Sequence, residues 1–183
     1  MMKSKILVVV DMQKDFVTGS LANKDAEKIV PGIVKKIEDY KEKGYPIVCT
    51  LDSHTQGYLE TQEGENLPVE HCIFQSDGWR LVEEIETAIK GYPRLKDHVK
   101  NTFGSMALPQ TVLEFLKVGV PAEIEICGTC TDICVISNAL ILKAAFPEVK
   151  VSVLANLCAG LTPEKHEHAL DVMASCQVGI VKE

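Results

Sequence analysis

Short, almost purely apolar runs recur along the chain with amphipathic stretches between them, and this alternation limits the possible folds more than any other feature. The run "KILVVVD" at residues 5–11 has no polar interruption, the pattern of a parallel strand covered on both faces. "YPIVCTLD" at 45–52 is another buried strand, "AEIEICG" at 122–128, "KVSVLAN" at 150–156 and "VGIVK" at 178–182 read as further strands, and "HVK" at 98–100 reads as the end of a shorter strand. Helical spacing fills the gaps. "AEKIVPGIVKKIEDYKEKG" closes on Gly44, and "WRLVEEIETAIKG", "LPQTVLEFLKVG" and "TDICVISNALILKAAF" follow, the last with Thr131 as N-cap. "TPEKHEHALDVMASC" has Thr162 as N-cap and Pro163 in its first turn. Strand and helix in alternation predict an α/β fold, a three-layer αβα sandwich on a mostly parallel, Rossmann-like sheet of about six strands. The 183 residues suffice for one core, so residues 1–183 read as a single domain. Residues 53–78 show no convincing element, and so long an irregular segment in a compact domain is usually functional.

Several function classes drop out early. "DMQKDF" stands after the first strand where a G-x-G-x-x-G loop would be, which argues against a dinucleotide cofactor. The net charge of −7 has no compensating basic run, which argues against nucleic acid. No apolar stretch approaches the ~20 residues of a membrane helix. The N-terminus begins like a signal peptide but turns acidic at Asp11 and offers no small-residue cleavage site, so it reads as the first strand of a cytoplasmic protein. Seven scattered cysteines are an odd count, unlike a secreted disulfide framework, and Cys49, Cys72, Cys158 and Cys176 read as buried structural thiols.

In open α/β sheets ligands sit beyond the carboxyl ends of the strands. There the sequence places Asp11, then Asp52 with His54, then Lys100, and then Cys134 in the first turn of the next helix. Each alone has an ordinary structural explanation, as cap, turn or core residue; their recurrence at one sheet edge points to a site. With Thr131 as cap, Cys134 lies near unpaired N–H groups and the positive helix end, where a thiol pKa falls and an oxyanion is held. A redox pair of Cys127 and Cys130 fits poorly, because Cys127 is still in the strand. The thiol's proton could pass to His98, on the face of Lys100, or to Asp11 held by Lys100. Asp52, His54 and His71 form a set of one carboxylate and two imidazoles suited to zinc, iron or manganese, although solvated loop residues give the same pattern.

Three separated motifs, "DMQKDF", "KNTFGS" around Lys100 and "GTCTDICV", together resemble the isochorismatase-like cysteine hydrolases, and within them the nicotinamidases, over nearly the whole chain. The resemblance implies an isochorismatase-type hydrolase fold with Asp11, Lys100 and Cys134 as catalytic residues: Cys134 the nucleophile, Asp11 base and then acid, Lys100 orienting both. His98 becomes a strand residue in that reading. It implies a cis peptide between Thr129 and Cys130 that turns the Cys130 N–H toward the oxyanion shared with the Cys134 N–H. It implies a divalent metal, zinc ahead of iron or manganese, on Asp52, His54 and His71, with Glu63 in the region that supplies a further ligand in some relatives. Phe16 and Phe103 stand where relatives stack a substrate ring, and Leu67 stands where many nicotinamidases have tryptophan, so the pocket is looser or the substrate different. The implied reaction is hydrolysis of nicotinamide to nicotinate and ammonia through a thioester, in cytoplasmic NAD salvage. The alternative is another small amide or carbamoyl substrate. A homo-oligomer is expected, with no nucleic-acid or membrane partner.

Overall fold

The computed structural model describes residues 4–116 and 122–182. Six strands form one sheet in the order β3-β2-β1-β4-β5-β6, and every neighbouring pair is parallel. They are β1 (Ser4–Val10), β2 (Ile47–Asp52), β3 (Leu95–Lys100), β4 (Ala122–Thr129), β5 (Lys150–Ala159) and β6 (Gly179–Val181). Helices flank the sheet: α2 (Lys24–Glu42) packs on α4 (Glu83–Ile89), and α6 (Ile136–Ala145) packs on α5 (Leu108–Leu113) and α7 (Pro163–Ser175). The central strand β1 is the most deeply covered, with Ile6 through Val10 at 0% exposure. That is why its sequence shows no alternation. No helix of the described residues is long and apolar enough to cross a membrane.

The long helix α2 follows from its sequence. The Asn23 side chain accepts the N–H groups of Asp25 and Ala26, filling orphan donors of the first turn. Ala26, Val30, Ile33, Ile37 and Tyr40 then recur on one face and are buried. Gly44, at φ +67°, ends it. In α7 the Thr162 hydroxyl accepts the Lys165 N–H and Pro163 opens the first turn, as its sequence predicts. At the amino ends of the strands, the buried Glu125 carboxylate meets Lys5 at 2.6 Å and the Tyr40 hydroxyl at 2.7 Å, with Lys36 beside it. Burial raises its pKa, but these partners outweigh burial and bring it to about 2.

Three elements differ from their sequence patterns. The helix expected over 79–91 is formed only from Glu83 to Ile89. Leu81 instead bridges Gln13, the Lys14 N–H donates to the Arg80 carbonyl and the Val82 N–H to that of Met12. Pairing with a distant extended segment therefore outcompetes local propensity. The expected loop at 53–78 contains a 3₁₀ turn at Tyr58–Glu60 and a short helix, α3 (Gln62–Asn66), capped by the Thr61 hydroxyl. Both are too short to leave a periodic signal. The helix read from "LPQTVLEFLKVG" spans only Leu108–Leu113, and its positions 117–119 lie outside the described residues.

Beside the first motif the sheet tolerates no side chain at one position. Gly128 has φ +120°, and a Cβ there would lie 2.1 Å from the Val10 carbonyl oxygen. Gly128→Ala should therefore cost at least about 3 kcal/mol of stability in urea denaturation. An unchanged midpoint would show that β4 can move off β1.

Candidate active site

Four adjacent strands converge at their carboxyl ends. β3 delivers Lys100, β2 delivers Asp52 in register with it, β1 leads into Asp11, and β4 leads into the turn bearing Cys134. Asp11 sits at φ 48°, a left-handed conformation that Asp tolerates better than most residues. Its backbone N–H reaches the Thr50 carbonyl and hydroxyl, and its Oδ1 accepts the Thr50 hydroxyl at 2.6 Å. The Lys100 ammonium lies 2.7 Å from Asp11 Oδ2, 3.3 Å from Asp52 Oδ1 and 3.7 Å from Cys134 Sγ. Asp11, Lys100, Asp52 and Cys134 are all buried. Although close to the ammonium, Asp11 Oδ2 accepts no well-directed hydrogen bond from the described residues, so it retains acceptor capacity for another proton.

Charges in this cluster oppose one another. Burial drives the Asp11 pKa up, and the Lys100 charge offsets this only in part. Burial alone would lower Lys100, but Asp11, Cys134 and Asp52 reverse that and hold it charged. The Cys134 thiol rises well above its ordinary value through burial and then the Asp11 charge, against Lys100. This corrects the expectation of a lowered thiol pKa from helix position. Dehydration of the sulfur and the nearby carboxylates act on it more strongly than the Lys100 ammonium. His98 is committed elsewhere, its ring nitrogens bonded to Thr111 Oγ1 at 2.9 Å and Ser105 Oγ at 2.8 Å.

The turn carrying Cys134 is also not the simple capped helix expected. Residues Thr131–Val135 form a π turn that runs into α6. Cys130 is its cap residue, and the Cys130 carbonyl accepts the Ile133 and Val135 N–H groups, each at 3.0 Å. Thr131 does not cap. Its buried hydroxyl is paired with His166 Nδ1 of α7 at 2.8 Å, so α7 uses the oxygen the helix start would have used. The Thr129–Cys130 peptide is cis. Every cysteine of the chain is free, and Cys176, expected to be buried, is exposed on the last turn before β6.

Next to the lysine lies a second polar cluster. Ligand atoms of Asp52, His54 and His71 all fall within 4.8 Å of one another. His54 Nε2 is 2.9 Å from Asp52 Oδ2 and His71 Nε2 is 3.7 Å from it; Glu63 Oε1, from α3, is 3.7 Å from both imidazoles. His71 Nδ1 lies 2.8 Å from the Val69 carbonyl. A carbonyl only accepts, so Nδ1 carries the hydrogen, and Nε2 is the nitrogen whose lone pair a neutral ring would offer to a cation. These oxygen and imidazole donors fit a divalent metal ion. Sequence distance is closed by pairing: the His54 N–H donates to the Cys72 carbonyl and the Phe74 N–H to that of His54.

Both clusters open into one cavity of about 190 Å³, whose walls include Asp52, His71, Cys130 and Cys134. Phe16, Phe103 and Leu67 line it too. Phe16 tilts on His71 with centroids 5.5 Å apart, while Phe103 and Leu67 are exposed at 49% and 37%. A larger open groove of about 880 Å³, beside α1 (Lys14–Val17) and α2, contains none of these groups.

Sequence reasoning missed the residues that hold the clusters in place. Gln13, fully buried, donates to the carbonyls of Asp52 and Trp79 and accepts the Asp52 N–H, each at 2.8 Å. Asp15 Oδ2 accepts the N–H of Cys72 at 2.8 Å, next to His71. Tyr58 packs edge-on against both imidazoles. The usable signal was the spacing inside "DMQKDF", where alternate polar residues continue a strand that has already ended.

Residues 5–182 match the isochorismatase domain. Among solved structures, a pyrazinamidase of Pyrococcus horikoshii in complex with zinc shares 28% identity at TM-score 0.79, covering 98% of this chain and 99% of its own. A nicotinamidase from Bacillus subtilis shares 25% at TM-score 0.82, covering 99% and 100%. An isochorismatase family protein of Desulfovibrio vulgaris, 19% identical at TM-score 0.80 over 98% and 94%, shares the fold. No curated protein matches the chain by sequence.

Because Gln13 supplies two bonds to the Asp52 backbone and a third that ties it to Trp79, Gln13→Ala should weaken binding of a divalent metal by about 10- to 100-fold. Titration with zinc against a competing chelator checks it, and unchanged affinity would place the orientation of Asp52 elsewhere.

Proposed function

This chain belongs to the isochorismatase family, and on that premise we propose that it is a metal-assisted cysteine amidohydrolase converting nicotinamide to nicotinate and ammonia. The observation that carries the proposal is the shared cavity: a thiol beside a carboxylate and an ammonium faces an oxygen–imidazole metal set across a space walled by aromatic rings. Asp52, His54 and His71, with Glu63 adjacent, would hold the cation, zinc first and iron or manganese next. Its chemistry when bound is Lewis-acid capture of the pyridine nitrogen. Phe16 and Phe103 flank the ring, whose plane suits aromatic packing.

Asp11, its basicity raised by burial, takes the Cys134 proton as the sulfur attacks the carboxamide carbon. The Lys100 ammonium stabilises the negative charge passing between carboxylate and sulfur. The backbone N–H groups of Cys130 and Cys134 hold the oxyanion. Asp11 then returns the proton to the leaving nitrogen, releasing ammonia and leaving a thioester on Cys134. Asp11 next draws a proton from water, which attacks the thioester. Collapse expels the sulfur, which takes the proton back from Asp11 to restore the thiol, and the product acid releases its own proton to water as nicotinate. A second reading, a related small amide or carbamoyl compound, is favoured only by Leu67 at the cavity mouth, which narrows the ring site less than a larger aromatic.

Ammonia release from nicotinamide tests the proposal directly. Cys134→Ala should lower turnover by at least about 10⁴-fold, whereas Cys127→Ala, altering a buried strand thiol, should keep most of it. Chelation should abolish release and zinc should restore it. No turnover with any metal, but release from another amide, would select the second reading.

The pH profile tests Asp11. A base must be deprotonated, and burial raises its pKa. Activity should therefore fall with acid along a limb lying above the ordinary carboxylate range of about 4. Asp11→Asn should remove turnover at every pH; retention would assign the base elsewhere.

A further inference from the structure

Asn138 is fully buried on α6, one turn beyond Cys134. Its Nδ2 donates to the Cys134 carbonyl at 2.8 Å and to the Phe103 carbonyl at 3.1 Å, and its Oδ1 accepts the Ser105 N–H at 3.0 Å. One primary amide thus joins the turn of the proposed nucleophile to the loop that follows Lys100. Asparagine is a poor choice for a helix interior, and a buried amide is costly unless its groups are bonded. Here the amide's hydrogens and its oxygen all meet backbone partners. The loop lies flat on the helix: a Cβ at Gly104 would come 2.7 Å from Ile141 Cδ1 and 2.8 Å from Ser137 Cβ. Ser105 is tied further back to His98 on β3.

We infer that Asn138 is a positioning residue that locks the Phe103 wall of the cavity to the turn bearing Cys134, so that ring and sulfur keep one fixed separation. The inference rests on the roles proposed for Cys134 and Phe103. Serine separates its two halves. On a helix its hydroxyl can donate to the carbonyl four residues back, here that of Cys134, but it is too short to hold the Phe103 carbonyl and Ser105 N–H across the loop. Alanine loses both.

The test compares zinc-loaded wild type, Asn138→Ser and Asn138→Ala. It follows nicotinamide kinetics, iodoacetamide alkylation of Cys134 mapped by mass spectrometry, and amide hydrogen exchange of residues 101–107. In Asn138→Ser, exchange in the loop should quicken about 10-fold, and KM should rise about 10-fold with kcat within about threefold. Cys134 alkylation should match wild type. Asn138→Ala should add a fall in kcat, for about 100-fold in kcat/KM, and a shift of about threefold or more in alkylation rate. Alkylation and exchange do not depend on the substrate, so an enzyme inactive on nicotinamide would sink the proposed function and leave this inference to those two readouts. If Asn138→Ala does not fold, Asn138→Ser decides. Wild-type loop exchange in Asn138→Ser would overturn the inference, and so would an unchanged KM in an enzyme that turns nicotinamide over.

Discussion

A lysine ammonium sealed from water organises the whole strand-end region. Lys100 contacts two carboxylates and a thiol, and none of the three charged groups is stable there alone. Two buried carboxylates without the cation would repel each other and lack solvation, while the cation without them would lose its proton. Asp11 and Asp52 also belong to different clusters, one facing the sulfur and the other the imidazoles. The ammonium between them fixes the distance from metal set to thiol. A molecule reaching both clusters must match that separation.

The sheet order makes this hub possible. Strands β3, β2, β1 and β4 are neighbours, so their ends bring Lys100, Asp52, Asp11 and the Cys134 turn together without any long excursion. The six residues of "DMQKDF" then serve several ends at once. Asp11 faces the ammonium, Gln13 grips the backbone of Asp52, Asp15 holds the backbone beside His71, and Phe16 packs on the His71 ring. Asp11 and supports of the metal set thus come from one continuous segment, which limits how far the clusters can drift apart.

Some of this was legible in the residues. Unbroken apolar runs revealed buried parallel strands because no face of them meets water. Polar residues just past those runs each had an ordinary structural explanation, and Asp11, Asp52, Lys100 and Cys134 stood out only because they recur at one edge of the sheet. Other features were hidden. The extended path of residues 80–82 depends on hydrogen bonds to Met12 and Lys14, and nothing local signals a partner so distant in sequence. Thr131 looked like a cap because a threonine before a helix usually is one; that His166 claims its hydroxyl depends on how α7 packs. Tyr58 and Asn138 carried no motif at all.

The sequence by itself determined the architecture and the chemical inventory, since hydrophobic periodicity and residue type are properties of the chain. Only the tertiary structure decided protonation and alignment. The Cys134 thiol is raised rather than lowered because burial and the Asp11 charge, both set by packing, outweigh the Lys100 ammonium. His71 joins Asp52 and His54 because the backbone pairing of His54 with Cys72 and Phe74 folds the intervening segment back. Solvation and distance are collective quantities, and they come into being only when the strands are laid side by side.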